Sequence, residues 1–104
     1  MESVRQILAR PAAGGEVQLG GWLRSARHGK GVSFLELSDG SCFAGLQVVA
    51  EPALANYESE LRRLRTGCAV LVTGLLADSP GQGQRYELRA RRVEVLGQIG
   101  RAHV

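Results

Sequence analysis

Two side chains of this sequence, Phe34 and Gln47, have the chemistry needed to hold a nucleobase. Phe34 alternates with the apolar Leu35 in one predicted strand, and Gln47 follows Leu46 in the next. Because successive side chains of a strand point to opposite faces, Phe34 and Gln47 fall on the face turned away from the core. An aromatic ring can stack on a base, and an amide can hydrogen-bond to its edge. The pattern leaves a second interpretation open, in which Phe34 packs under a loop and Gln47 is only solvated.

The charged residues favour a partner that carries phosphates. The sequence of 104 residues has a net charge of +3, with twelve arginines and a single lysine, Lys30. Arginine presents a planar fork to phosphate and can lie flat on a base, so an arginine-rich basic domain favours RNA. A GC-rich genome would also raise the ratio of arginine to lysine, so position matters more than number. Arg24, Arg27 and Lys30 in a basic turn, and Arg85 at the start of the last predicted strand, are candidate RNA contacts.

The cysteines and the hydropathy pattern indicate neither a metal site nor a membrane. Cys42 and Cys68 lie far apart, at predicted strand starts, with no clustered histidines. They fit neither a zinc site nor a disulfide framework, and buried free thiols are the ordinary explanation. No apolar run approaches the ~20 residues of a membrane span, and nothing resembles a signal peptide. We expect a cytoplasmic protein without metal or cofactor.

Along the chain, segments in which apolar residues recur at strand spacing or at helix spacing predict five strands and two helices. Gly20 and Gly21 should introduce a bulge or bend into the first strand, Asp39-Gly40 should close a tight hairpin, and Arg91-Arg92 should shift the phase of the last strand. The predicted elements are a helix over Ser3–Ala9, strands beginning at Val17, around Phe34 and over Cys42–Ala50, a helix over Pro52–Leu64, strands over Cys68–Ala77 and Arg85–Leu96, and a loop over Ser79–Gln84.

Five strands with a helix between the third and fourth are typical of the all-β OB-fold, a small Greek-key barrel. A bend in a long first strand lets that strand contribute to both sheets of such a barrel. A flat sheet with the helix on one face, the alternative, would not need Gly20-Gly21. The Leu54, Tyr57 and Leu61 stripe should plug one end of the barrel. We assign residues 1–98 to this domain and residues 99–104 to a frayed tail.

Several motifs resemble the N-terminal anticodon-binding domain of bacterial asparaginyl-tRNA synthetase, of the class II branch that also holds the aspartyl and lysyl enzymes. The resemblance covers essentially residues 3–97. Its most specific fragments are the Asp-Gly-Ser-Cys-Phe segment and the Ser-Pro-Gly-Gln-Gly-Gln loop taken together. The motifs are Gly21–Arg24, Lys30–Leu35, Asp39–Phe43, Leu46–Val49, Thr66–Cys68, Val72–Gly74 and Ser79–Gln84.

The resemblance implies a role for individual residues. In that family a phenylalanine matching Phe34 stacks on the central uridine of the anticodon, and a glutamine matching Gln47 hydrogen-bonds it. Arg27 best matches an arginine of the basic turn, and Glu87 matches a glutamate near the first anticodon base. Glu87 could equally form a surface salt bridge with a neighbouring arginine, worth ~0–1 kcal/mol. Family members commonly carry two arginines and an aspartate where this chain has Ala26-Arg27-His28, so the resemblance does not carry over one of the family's basic contacts.

The resemblance also implies a missing partner. It covers only the first part of a two-part protein, in which a class II catalytic domain follows the barrel. We find no P-loop, no GxSxG motif and no paired-carboxylate constellation, and His28 is expected to be solvated, so the chain alone should not charge tRNA. The preferred function is binding of an asparagine-type tRNA anticodon loop. The alternatives are a generic single-strand binder and a protein-interaction module that uses the Leu54/Tyr57/Leu61 helix or an open strand edge.

Overall fold

The alternation of apolar and polar residues produces five strands that close into a barrel. A computed structural model describes residues 2–81 and 83–98. The strands hydrogen-bond in the closed order β1-β2-β3-β5-β4, and β3 and β5 pair in parallel whereas the other pairs are antiparallel. The elements are α1 (Val4–Leu8), β1 (Glu16–Gly29), β2 (Val32–Ser38), β3 (Leu46–Ala50), a 3-10 helix (Leu61–Arg63), β4 (Cys68–Asp78) and β5 (Tyr86–Gln98).

The core is formed by the inward-facing side chain of every second strand residue, together with α1 and the segment between β3 and β4. Closing the sheet on itself removes these side chains from water without a second layer. The predicted all-β OB-fold barrel is confirmed. The largest fully buried side chains are Val4, Ile7, Leu19, Leu23, Leu35, Leu37, Leu46, Val48, Tyr57, Leu61, Tyr86 and Leu88.

The long first strand belongs to both halves of the barrel, as expected. Its register shift, however, does not lie at Gly20-Gly21, the predicted site of a bulge or bend. β1 pairs with β4 as far as Trp22 and with β2 from Trp22 onward, and the register shifts between Leu23 and Ser25. Gly21 instead permits a close approach of two backbones, because a Cβ there would lie 2.1 Å from the carbonyl oxygen of Ser38. In β5 the predicted phase shift is confirmed: Thr73 and Gly74 pair with residues 92 and 90, which leaves Arg91 bulged.

The predicted tight hairpin at Asp39-Gly40, with a strand from Cys42, is wrong. Pairing of β2 with β3 ends at Leu37 and Leu46, and residues 39–45 form a longer connection, which we call the β2–β3 loop. The Asp39 carboxylate accepts hydrogen bonds both locally, from the backbone N–H of Ser41 at 3.0 Å, and from the backbone N–H of Val4 at 3.0 Å. The start of the loop is thus tied to α1, a contact distant in sequence that a local turn signal does not include. Cys42 lies in this loop, half-buried, whereas Cys68 is buried at the start of β4 as expected.

The predicted helix over Pro52–Leu64 is also wrong, although Tyr57, Leu61 and Leu64 of its apolar stripe are buried and Leu54 is partly buried. The segment forms successive turns and ends in the short 3-10 helix. The segment is held by backbone hydrogen bonds of its own turns, such as Tyr57 N–H to the Leu54 carbonyl oxygen, and by a bond to the barrel wall, where Asn56 donates to the Val93 carbonyl oxygen of β5 at 2.9 Å. An isolated helix of this length is marginal in water, and tertiary contacts decide its backbone. Tyr57 and Leu61 are 1% and 0% exposed and plug the barrel end.

His28 is held in a hydrogen-bond network and is not simply solvated, which corrects the expectation. Its Nε2 lies 2.9 Å from the Leu64 carbonyl oxygen and its Nδ1 lies 2.8 Å from Ser33 Oγ. A carbonyl only accepts, so Nε2–H donates to Leu64. The buried Ser33 Oγ lies 3.1 Å from the Tyr57 hydroxyl. The network joins β1 and β2 to the plug segment.

The N-terminal helix is confirmed, one residue shorter at each end than its predicted span. Ser3 caps α1, and its exchange of hydrogen bonds with Gln6 forms a capping box. No helix in the described part of the chain is long and apolar enough to cross a membrane. Within residues 2–81 and 83–98, no group of three or more His, Cys, Asp or Glu could hold a metal ion. The expected tail, residues 99–104, lies outside the described residues.

Candidate nucleic-acid interface

Phe34 and Gln47 lie on the same outer face of neighbouring strands. Phe34 is opposite Val49, and Gln47 is opposite Glu36, in the antiparallel pair of β2 and β3. Each is half-buried, between fully buried neighbours on its own strand. The predicted placement is therefore confirmed, and Phe34 is not packed into the core.

A shallow cavity brings these two side chains together. It has a volume of about 200 Å³, and it is lined by Ser25, Arg27, Phe34, Leu35, Glu36, Gln47 and Gln84. Three strands supply most of the wall, and Gln84 reaches it from the connection between β4 and β5. Sequence reasoning did not choose Gln84 or Glu36 as site residues. The alternation of β2 puts Glu36 on the face of Phe34 and could have found it. Gln84 belongs to the Ser79–Gln84 motif of the family resemblance, but no alternation places its side chain at the cavity.

Arg27 lies over the ring of Phe34. The two residues are directly opposite in the β1–β2 register, and the guanidinium carbon lies 5.1 Å from the ring centroid. Such a cation–π contact at an exposed site is worth about 0.5–1 kcal/mol. Both partners present flat surfaces, so a base could stack on the ring, on the guanidinium or on both.

Glu87 lies beside Gln47, because the two residues are paired in the parallel register of β3 and β5. The Glu87 side chain is only 9% exposed. β5, which carries Glu87, has a neighbouring strand on each side. Arg89 Nε donates to Glu87 Oε2 at 3.1 Å, so the salt bridge weighed from the sequence is present.

The other predicted basic residues do not line the cavity. Arg24 is linked to the cavity only through Glu36, which lines it: Arg24 Nη1 lies 3.8 Å from Glu36 Oε2. The same nitrogen donates to the Phe43 carbonyl oxygen. Lys30 is exposed in the turn between β1 and β2. Arg85 donates to the Pro11 carbonyl oxygen at 3.1 Å and lies over the ring of Tyr86. Arg85 borders a second depression, of about 250 Å³, which shares Gln84 with the cavity.

Comparison with known proteins identifies the family to which this barrel belongs. The sequence model of the tRNA anticodon family, described as an OB-fold nucleic acid binding domain, matches residues 17–96. The chain belongs to this family. The anticodon-binding OB domain that this family describes is a non-catalytic part of a synthetase. All residues that line the Phe34 cavity lie within the matched residues 17–96.

Curated relatives of this OB domain are asparagine–tRNA ligases. The chain is 57% identical over 94 residues to the enzyme of Geobacter sulfurreducens, covering 90% of this chain and 20% of that protein. It is 50% identical over 99 residues to the enzyme of Xylella fastidiosa, covering 93% of this chain and 21% of that protein. The chain thus spans about a fifth of the length of these relatives. The resemblance to the asparaginyl branch is confirmed.

Solved structures show the same fold. Asparaginyl-tRNA synthetase from Pyrococcus horikoshii superposes with a TM-score of 0.79 at 20% identity, over 94% of this chain and 24% of that chain. The OBody AM2EP06, solved bound to hen egg-white lysozyme, has a TM-score of 0.75 at 17% identity, over 94% of this chain and 96% of that chain. The matching region makes up almost all of that OBody chain.

Proposed function

We propose that the Phe34 cavity binds the anticodon loop of an asparagine-type tRNA. The observation that carries this proposal is the convergence of Phe34, Arg27 and Gln47 on one cavity of an anticodon-family barrel. The similarity to asparagine–tRNA ligases supports the choice of tRNA. In the full-length protein, a class II catalytic domain would then aminoacylate this tRNA in the cytoplasm.

Phe34 supplies the stacking surface in this proposal. The central uridine of the anticodon stacks on its ring, a contact worth about 1–3 kcal/mol. Arg27 already lies 5.1 Å from the same ring, so its guanidinium can remain as a second flat partner or turn to a phosphate. The stack fixes the position of the base but does not select it, because every base has a π-face.

Gln47 and Glu87 supply selection. Uridine offers an N3–H donor and an O4 acceptor, which match the oxygen and the NH2 group of one side-chain amide. Glu87, paired in register with Gln47, is an acceptor suited to the N–H donors on the Watson–Crick edge of guanine at the first anticodon position. Its burial, with a side chain 9% exposed, strengthens both the ion pair with Arg89 and any hydrogen bond to a base.

The test uses two anticodon stem-loops that differ only at the central anticodon position, one with uridine and one with cytidine. At one fixed salt concentration the domain should prefer uridine by about tenfold, or 1.4 kcal/mol. Gln47→Ala should largely erase this preference, because the wrong base then no longer leaves a polar group unpaired. Phe34→Ala should weaken both complexes more strongly than Gln47→Ala does. Arg91→Ala, at the exposed bulge of β5, is the control for a lost side chain away from the cavity.

Two outcomes would contradict the proposal. Equal affinity of the unaltered domain for both stem-loops would favour the generic single-strand binder. An absence of saturable binding would favour a protein-interaction module, although its predicted surfaces do not support it. Tyr57 and Leu61 are buried, and the five described strands form a closed barrel with no open edge.

A further inference from the structure

Phe43, in the β2–β3 loop, is a large aromatic side chain that the cavity does not use. It is 92% exposed. The Arg24 guanidinium carbon lies 5.4 Å from its ring centroid, and Arg24 also donates to the Phe43 carbonyl oxygen. The ring and the guanidinium thus repeat, at a second place, the arrangement of Phe34 and Arg27 in the cavity.

The loop that carries Phe43 is held in place by hydrogen bonds at its start. Asp39 Oδ1 accepts from the backbone N–H of Ser41 at 3.0 Å and from its hydroxyl at 2.6 Å. Ser41 Oγ in turn accepts from the backbone N–H of Arg5 at 3.0 Å. Phe43 is therefore presented on an anchored loop, which reduces the ordering cost of any contact that its ring makes.

The second ring is continuous with the cavity through Glu36. This residue lines the cavity, and its carboxylate lies 3.8 Å from Arg24 Nη1. Gly45 packs on the same side chain, because a Cβ there would lie 2.7 Å from Glu36 Cγ. The loop and Arg24 therefore meet at the edge of the cavity, and a strand leaving the cavity there would meet a cation and an exposed ring.

We propose that Phe43 and Arg24 form a second stacking platform, which takes an unpaired base adjoining the anticodon in the same RNA strand. Single-strand binders combine aromatic rings for successive bases with basic groups that follow the backbone. Arg24 meets both needs, because its guanidinium can remain beside the ring or pair with the phosphate of the stacked nucleotide. This inference depends on the proposed function, since the RNA is the one held in the Phe34 cavity.

The test compares a complete anticodon stem-loop with the anticodon trinucleotide alone. Phe43→Ala should weaken stem-loop binding about tenfold and leave trinucleotide binding unchanged, because the ring lies outside the cavity. Phe43→Tyr should retain the affinity. Leu96→Ala is the matched control, as Leu96 is another exposed apolar side chain, 62% exposed, on β5. A stem-loop with 2-aminopurine beside the anticodon should lose fluorescence on binding, and Phe43→Ala should remove this quenching.

The results separate this inference from the proposed function. Saturable stem-loop binding that Phe43→Ala leaves unchanged would overturn the second platform alone, and a protein contact would then be the better explanation of the exposed ring. An equal loss for stem-loop and trinucleotide would also overturn it, because the substitution would then act on the cavity. If the unaltered domain binds neither RNA, both proposals fall. Thermal unfolding of Phe43→Ala should match that of the unaltered domain, which excludes misfolding.

Discussion

Asp39 should be among the most sensitive surface positions of the barrel, because one carboxylate joins the β2–β3 loop to α1. It accepts hydrogen bonds from Val4 N and Ser41 N, both at 3.0 Å, and from Ser41 Oγ at 2.6 Å. The bond to α1 satisfies a first-turn N–H, a role typically worth about 1 kcal/mol. The two bonds within the loop lie near water and add about 1 kcal/mol together. We therefore expect Asp39→Ala to lower the free energy of unfolding by about 2 kcal/mol.

Thermal unfolding followed by circular dichroism measures this loss. A change of 1 kcal/mol shifts the midpoint of a domain of this size by about 4–8 °C, so Asp39→Ala should lower it by about 8–16 °C. Asp39→Asn should cost less than Asp39→Ala, because it keeps one acceptor oxygen, but more than nothing, because its NH2 group then faces a donor and that hydrogen bond is lost. Asp78→Asn is the control, as it removes the other aspartate of the chain, exposed at the end of β4.

The dependence on pH gives a second measurement of the same contact. Burial raises the pKa of Asp39 and is the largest single effect, but hydrogen bonds from the Ser41 hydroxyl and from the backbone N–H groups of Val4 and Ser41 together outweigh it. The pKa therefore lies below its ordinary value. A lowered pKa contributes stability above the ordinary value, about 3.9, that is lost as the pH falls through the folded-state value. The difference between the unaltered domain and Asp39→Asn should be full at pH 6 and shrink below about pH 4. A midpoint unaffected by Asp39→Ala, or a difference that stays constant down to pH 3, would refute this reasoning.

Two further predictions concern the RNA path and the plug segment. Arg27→Ala should flatten the log–log dependence of RNA binding on salt by about 0.7–0.9, one phosphate contact, without altering base preference; an unchanged slope would place Arg27 outside the phosphate path. Tyr57→Phe removes the hydroxyl 3.1 Å from the buried Ser33 Oγ, at about 1 kcal/mol, and should lower the unfolding midpoint by about 4–8 °C. An unchanged midpoint would mean that the network of His28, Ser33 and Tyr57 does not hold the plug in place.

The sequence predicts whatever depends on alternation along one strand. The outward positions of Phe34 and Gln47 follow from a period of two, and so does the bulge at Arg91, where that period slips. The barrel follows in turn, because five such strands in this order have few ways to bury one face.

The wrong predictions all involve contacts between residues distant in sequence. Asp39-Gly40 is a strong local turn signal, yet Asp39 binds Val4, 35 positions away. Asn56 bonds to Val93 and holds the plug in a form that its helical spacing does not predict. Local propensity is a weak prior wherever tertiary contacts compete with it.

The distribution of charge at the cavity argues for base recognition over general attraction of polyanions. Two carboxylates flank Gln47 in the strand register, Glu36 on β2 and Glu87 on β5. A surface that bound any single strand by its phosphates would gain from cations at that place, and like charges there repel the backbone. Carboxylates and an amide instead suit the N–H donors of base edges. Arg24 and Arg27 lie around this group, so phosphates can pass the rim while bases turn inward. In the proposed complex we therefore expect selectivity for the base to depend on the polar row of Glu36, Gln47 and Glu87, and affinity to depend on the rings and the arginines around it.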